Sequence, residues 1–247
     1  MNPLKSLFKS NEVEFFCEEE DYGVIPEPYP ARKLIPDWYK ALPPKLEKKD
    51  LLRNSTIKRC APFLDAMTVG WIIPLAADVE IITNSDASGL DYKWIFHKTM
   101  IENHNPDQIS TSKCPHHSAP KPPLKFLNYI YIKMPPGYSA LFVPPLNRPD
   151  PRFTCISGLV DDGYMGTDDL SYINFPFFFN IPSYTGIIKA GTPLVQLIPI
   201  KRDHVLEQSR KIEFNKISKE NKKKVEKTIR RRSSHESLYR DKHWVRK

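Results

Sequence analysis

Glycine is scarce in this chain. There are nine glycines against 24 prolines, and none occurs after Gly191. From that point on, a glycine-rich loop that cradles an anion with successive backbone N–H groups is excluded. The prolines exclude a fold built from long helices, because each removes a donor and clashes with the preceding turn. Cysteine is also sparse. Cys17, Cys60, Cys114 and Cys155 lie far apart and form no C-x-x-C pair. This argues against a disulfide framework and for reduced thiols, hence for a cytoplasmic protein. Long apolar runs are missing as well. FPFFFNIP is far short of the roughly 18 residues that a membrane span needs, so no membrane association is expected. The start, MNPLKSLFKSNEVEFF, has no apolar h-region, and no signal peptide is expected.

What is present is a chain of 247 residues, 40% hydrophobic and 27% charged, enough for one large domain or one domain with appendages. Its net charge of +8 is unevenly spread. Residues 201–247 hold 17 Lys and Arg against 7 Asp and Glu, so the first 200 residues are slightly acidic. A basic tail of this kind can meet nucleic acid or an acidic partner, or it can be a solvated helix of alternating charge. The run KKKVEKTIRRR has no interleaved aromatic, which favours the solvated helix.

The first fifty residues read as a proline-rich arm, with six prolines in GVIPEPYPARKLIPDWYKALPPK. IPDWYKAL is expected to form one or two helical turns, with Pro36 at the first position and Asp37 favoured by the helix dipole. Trp38, Tyr39 and Leu42 would dock on the body. GWIIPLAADVEIIT is strand-like and broken by Pro74, and DYKWIFHKTM alternates with period two. ENHNPDQISTSKCPHHSAPKPP is a long polar loop. Strands then follow densely: KFLNYIYIKMPP, GYSALFVPPL, RFTCISGLVDDGYMG, LSYINFPFFFNIP and TGIIKAGTPLVQLIPIKRD. Short strands punctuated by turns at this spacing suggest a sandwich or barrel. Beyond Asp203 there is neither proline nor glycine, and a helix breaking near Arg232–Ser233 is expected.

Three stretches, IKMPPGYSALFVPP, SGLVDDGYMG and AGTPLVQLIPI, occur in an order that resembles the trimeric dUTPase and dCTP deaminase family, over residues 130–200. Gly158, Asp161, Tyr164 and Gly166 match that family's G-x-x-D-x-x-Y-x-G turn. Asn174, Gly191 and Gln196 stand where its later strands carry asparagine, glycine and glutamine. The resemblance implies a β-clip fold. It also implies that Asp161 would activate a water as general base and that Tyr164 would pack on a deoxyribose. Departures are substantial. Pro144-Pro145-Leu146-Asn147 replaces the family's phosphate-holding Arg-Ser-Gly, the early A-G-x-D-L motif is missing, and so is the closing glycine-rich motif. Arg148 and Arg152 stand near the replaced motif but outside it. Over nearly the whole length, PEPYPARKLIPDWYKALP, CAPFLDAMTVGWIIPLAADVEI, MPPGYSALFVPPLNRPD, INFPFF and AGTPLVQLIPIKRD also resemble a family of uncharacterised proteins of tailed phages and marine bacteria. That resemblance implies a phage-type origin and no mechanism.

Cys114, His116 and His117, with His97 and His104 upstream, have the types of a zinc or iron site, but C-P-H-H fits no common zinc spacing. Adjacent histidines on one strand point to opposite faces. His97-Lys98-Thr99 and His104-Asn105-Pro106 lack the carboxylate of an iron oxygenase's facial triad. The plainer reading is a polar loop. Asp161 beside Asp162 is read as a turn residue, since neighbours do not normally face one site. Tyr172, Phe175, Phe177, Phe178 and Phe179 are read as core or a subunit interface before base-stacking groups.

The expectation is a mainly β protein: a β-clip or jelly-roll-like body over residues 55–202, a proline-rich extended arm over 1–54 and a basic helical tail over 203–247. The expected role is a phage-type binding or structural protein without catalysis, acting in the cytoplasm, that of an infected host cell if the chain is phage-encoded. One alternative is a deoxynucleotide-binding protein or dNTP pyrophosphatase using Asp161 and Tyr164, with Arg148, Arg152, Asn174 and Gln196 in binding. Magnesium would then come with the nucleotide; otherwise no cofactor is expected. A second alternative is a metal-binding β-barrel using Cys114, His116 and His117. A homo-oligomer, and an acidic partner or nucleic acid at the tail, are the partners considered.

Overall fold

The structure is a computed structural model that describes residues 12–47, 54–84, 90–103, 124–161, 173–202 and 217–234, the last segment with side chains to residue 230. Its strands, in chain order, are β1 (Glu14–Phe16), β2 (Tyr29–Pro30), β3 (Trp71–Pro74), β4 (Val79–Thr83), β5 (Leu90–Trp94), β6 (Ile101–Asn103) and β7 (Leu124–Phe126). They continue with β8 (Tyr131–Lys133), β9 (Tyr138–Val143), β10 (Phe153–Cys155), β11 (Gly158–Val160), β12 (Phe175–Phe179), β13 (Thr185–Ile188) and β14 (Pro193–Lys201). The α-helices are α1 (Asp37–Ala41), α2 (Ala61–Thr68) and α3 (Lys219–Ser234). The fold is therefore mainly β, as its proline-punctuated apolar runs predict.

Among the described residues, four sheets form, and all their pairings are antiparallel. The largest runs β11-β9-β14-β3-β2. A second runs β10-β12-β7-β6, a third β13-β4-β5, and β1 pairs with β8 alone. β14 is the hub of the largest sheet, flanked by β9 and β3, and Leu194, Val195, Gln196 and Leu197 are all buried. Such a run, buried on both faces, needs apolar residues throughout rather than alternation. Pro199 is tolerated because the pairing with β3 ends at Leu197; beyond it β14 has only β9 beside it, and a missing N–H costs no ladder bond there.

The inner faces of the sheets share one apolar core. Phe126 and Phe177 stack with ring centroids 3.8 Å apart, and Phe153 meets Phe126 edge-on at 5.3 Å. Phe175, Phe177, Phe178 and Phe179 are all buried, so the aromatic run of β12 is core and not a base-stacking surface. The arm contributes β1 and β2 to two sheets and then α1. Here Tyr39 is buried and stacks on Phe63 of α2 at 5.8 Å, and Trp38, expected to dock beside it, meets Phe63 edge-on at 6.4 Å while staying 51% exposed. A five-residue helix turns one face fully inward, and Tyr39 takes it; Trp38 covers Phe63 from the side.

Several expectations change in detail. KFLNYIYIKMPP is two strands in different sheets, β7 and β8. Asn128 divides them: its Nδ2 donates to the carbonyl of Ile130 at 2.9 Å and its Oδ1 accepts from the N–H of Ile130 at 3.2 Å, so one side chain stands in for a neighbouring strand. DYKWIFHKTM is strand only to Trp94, and residues 96–98 bend away. The tail contains the expected helix, α3, which ends at Ser234 and is exposed along its described side chains. No helix among the described residues is long and apolar enough to cross a membrane.

Candidate functional site

The sequence singles out residues that the structure places at two ends of β9. Asp161 follows β11 directly, and antiparallel pairing of Val160 with Ala140 sets it beside Ser139 at the start of β9. The Ser139 hydroxyl donates to Asp161 Oδ1 at 2.8 Å. Arg202, one residue past β14, brings its Nε to 3.7 Å from the same oxygen and donates to Ser139 Oγ at 3.4 Å. Ser139 is buried, whereas the Asp161 side chain is 56% exposed. The result is a carboxylate already supplied with a hydroxyl donor and a guanidinium partner. Arg202 was not singled out from sequence. It reaches Asp161 only because β14 pairs with β9, with Lys201 opposite Tyr138.

Pro144-Pro145-Leu146-Asn147 lies at the other end of β9, where it builds framework. Gln196, fully buried in β14, accepts from the Leu146 N–H at 3.0 Å. Its Nε2 donates to the carbonyls of Ala66 at 2.9 Å and Val69 at 2.6 Å. One amide thus joins the turn after β9, the central strand and the end of α2. Asn147, at a φ of 61°, donates to the Phe63 carbonyl at 3.2 Å. Asn174 accepts the Asn128 N–H at 3.1 Å, which links the segments flanking β7 and β12. Gln196 therefore has both of its polar atoms engaged in the scaffold, and Asn174 its Oδ1.

The two arginines differ. Arg152 forms a two-pronged pair with Asp150, Nε to Oδ1 at 3.0 Å and Nη2 to Oδ2 at 2.7 Å, which raises its pKa further. Arg148 is far less satisfied. Its Nη2 donates to the Ala31 carbonyl at 3.2 Å, but Nε and Nη1 are enclosed and have no acceptor among the described residues. Burial lowers the pKa of this guanidinium, and the neighbouring Tyr29 opposes that. Arg148 lines a cavity of about 430 Å³ between arm and body, together with Lys33, Leu34, Ile35, Pro36, Asp37, Lys40, Asp150 and Pro193. Asp37 is paired with Lys40 at 2.8 Å and Asp150 with Arg152. Among the described residues, that leaves Lys33 and Arg148 as cations without a carboxylate.

Asp161 and Arg148 do not converge. β9 separates them by six residues, on the order of 15–20 Å at a strand's rise. Tyr164, Cys114, His116 and His117 lie outside the described residues. Cys155 is enclosed, and burial pushes its thiol well above the ordinary range; nearby Asp150 adds to this. 

Neither a family model nor a curated protein matches the chain, so the phage and marine-bacterial resemblance gains no support from them. Solved structures give weak likenesses. A Staphylococcus bacteriophage 80alpha dUTPase triple mutant with dUpNHpp is 11% identical, over 85% of this chain and 94% of that one, at a TM-score of 0.34. A single mutant of the 80alpha dUTPase with dUpNHpp is 12% identical over the same shares, also at 0.34. A third mutant of the phage 80alpha dUTPase is 10% identical, over 85% and 96%, at 0.31. Likenesses this distant say nothing about the chemistry of this chain.

Proposed function

We propose that the protein is a binding protein of the phage type that its sequence resembles, that it does not hydrolyse nucleotides, and that it takes an anionic group in the cavity between arm and body. The observation that carries this reading is Arg148: two enclosed guanidinium nitrogens without an acceptor, beside a Lys33 without a carboxylate, both among the described residues, at the edge of a cavity. A buried charged donor without a partner is costly, and an anion would supply what is missing. Two further features favour binding over hydrolysis. Asp161 is held by Ser139 and Arg202, and the turn in place of the family's phosphate-holding motif is committed to Gln196 and Phe63.

The test is thermal denaturation of the full chain with inorganic phosphate, pyrophosphate, dUTP and dCTP at millimolar concentration with magnesium, with pyrophosphate release followed in parallel. Stabilisation by a phosphate-bearing ligand without turnover is expected, since a ligand that binds only the folded state raises its stability by mass action. Arg148→Met should abolish that shift while leaving the ligand-free melting temperature unchanged or higher, because an uncompensated buried charge is removed. A shift that survives Arg148→Met, or no shift with any of the four anions, overturns the anion site. Turnover that vanishes in Asp161→Asn overturns the non-catalytic reading.

A further inference from the structure

A second polar cluster lies on another side of the molecule, where the 3₁₀ turn Glu19–Asp21 of the arm meets the bend after β5. Three carboxylates gather there. Lys98 Nζ lies 2.8 Å from Glu18, 2.7 Å from Glu20 and 2.7 Å from Asp21 Oδ2. Burial alone would lower its pKa, but hydrogen bonds to Asp21, Glu18 and Glu20 more than reverse this and keep it an ammonium. Glu18 also accepts from the Tyr131 hydroxyl at 2.9 Å. Lys98 thus serves three anions, and its single charge leaves two negative charges that it does not neutralise.

His97 faces the same group. Its Nε2 is 3.2 Å from Asp21 Oδ1 and 3.6 Å from Glu20 Oε1. Asp21 is completely buried, and among the described residues its Oδ1 accepts no hydrogen bond, although the ring nitrogen is near it. Three ligand-type atoms, one from each residue, lie within 4.8 Å of one another. Donors that share a metal at about 2.0–2.2 Å in tetrahedral geometry stand roughly 3.4 Å apart, the spacing His97 has to both carboxylates.

We propose that His97, Asp21 and Glu20 form a binding site for one divalent transition-metal ion, of which Zn²⁺ is the type, fastening the N-terminal arm to the end of β5. One imidazole nitrogen and two carboxylate oxygens suit zinc and its first-row neighbours better than calcium or magnesium. A dication cancels the two surplus negative charges, and it gives the enclosed Asp21 oxygen a partner. Lys98, bound to the other oxygen of Asp21 and also to Glu20 Oε1 at 2.7 Å, holds both carboxylates in orientation. This site is independent of the anion cavity: no residue is shared.

The experiment is titration of the full-length, chelator-treated protein with Zn²⁺ by calorimetry and with Co²⁺ by visible absorption. One ion per chain, with the intense absorption of low-coordinate Co²⁺, is expected. His97→Gln and Glu20→Gln should each weaken uptake roughly tenfold or more. Both side chains are about half exposed, at 45% and 58%, so these variants keep the fold even if Asp21→Asn does not. No uptake, or uptake untouched by both substitutions, overturns the proposal. So does uptake retained in His97→Gln but lost when Cys114, His116 and His117 are replaced together.

Discussion

Gln196 and Asp161 are one strand apart in the largest sheet and have opposite stakes. Gln196 is fully buried and satisfies the Leu146 N–H and the carbonyls of Ala66 and Val69. Gln196→Leu would strand three backbone groups, and a loss of about 3 kcal/mol or more in urea unfolding is expected. Asp161→Asn keeps its shape and acts on a half-exposed pair, so less than about 1 kcal/mol is expected in the same measurement. Both residues were legible in the sequence as positions that matter, but not for the same reason. Gln196 was read as a binding residue because a glutamine in a strand carries no mark of which way its amide points. What the sequence could not offer was the partner. Arg202 comes to Asp161 through β-pairing, and Glu20 and Asp21 come to His97 from a segment more than seventy residues earlier. The sequence neighbours of His97 include no carboxylate; the carboxylates arrive through the fold.

Elements were more legible than sites. The apolar runs of β3, β4, β9, β12 and β14 announce themselves, since each is short, apolar and ended by proline, glycine or a polar turn. The tail helix was equally clear from its lack of breakers. Less visible was α2, an eight-residue helix whose main signal is Pro62 in its first turn. The return from α2 into β3 turns on Gly70, at a φ of 73°, whose carbonyl accepts the Ala31 N–H at 2.9 Å. A β-carbon there would fall 1.9 Å from the Leu197 carbonyl oxygen, a backbone atom that cannot swing aside. Gly70→Ala combines that clash with a left-handed backbone, and a cost of about 3 kcal/mol or more is expected, read as a lower urea midpoint. By contrast, Gly137 is at a φ of 80° with nothing within 4 Å of the same position, so only the backbone strain remains. Gly137→Ala should cost about 1–2 kcal/mol.

At the scale of the whole molecule, the core can be followed through its thiols. Cys155, the last residue of β10, pairs with Phe177 of the aromatic strand β12; it is enclosed and its pKa is pushed upward, so very little thiolate exists at neutral pH. Cys60 is exposed. Iodoacetamide should modify Cys60 in the native protein and reach Cys155 only at the rate of global unfolding, with peptide mass spectrometry as the readout. Labelling of Cys155 as fast as Cys60 would contradict a continuous core. The position of β14 bears on how that core is made. Gln196 faces Ile72 across a separation of about 120 residues, and the same strand lies against β9. On the ribosome, β3 and β9 emerge long before the strand that joins them, each with an unpaired edge. The nascent chain therefore carries an open slot between β9 and β3 until residue 201 has emerged, and the largest sheet closes only when β14 fills it.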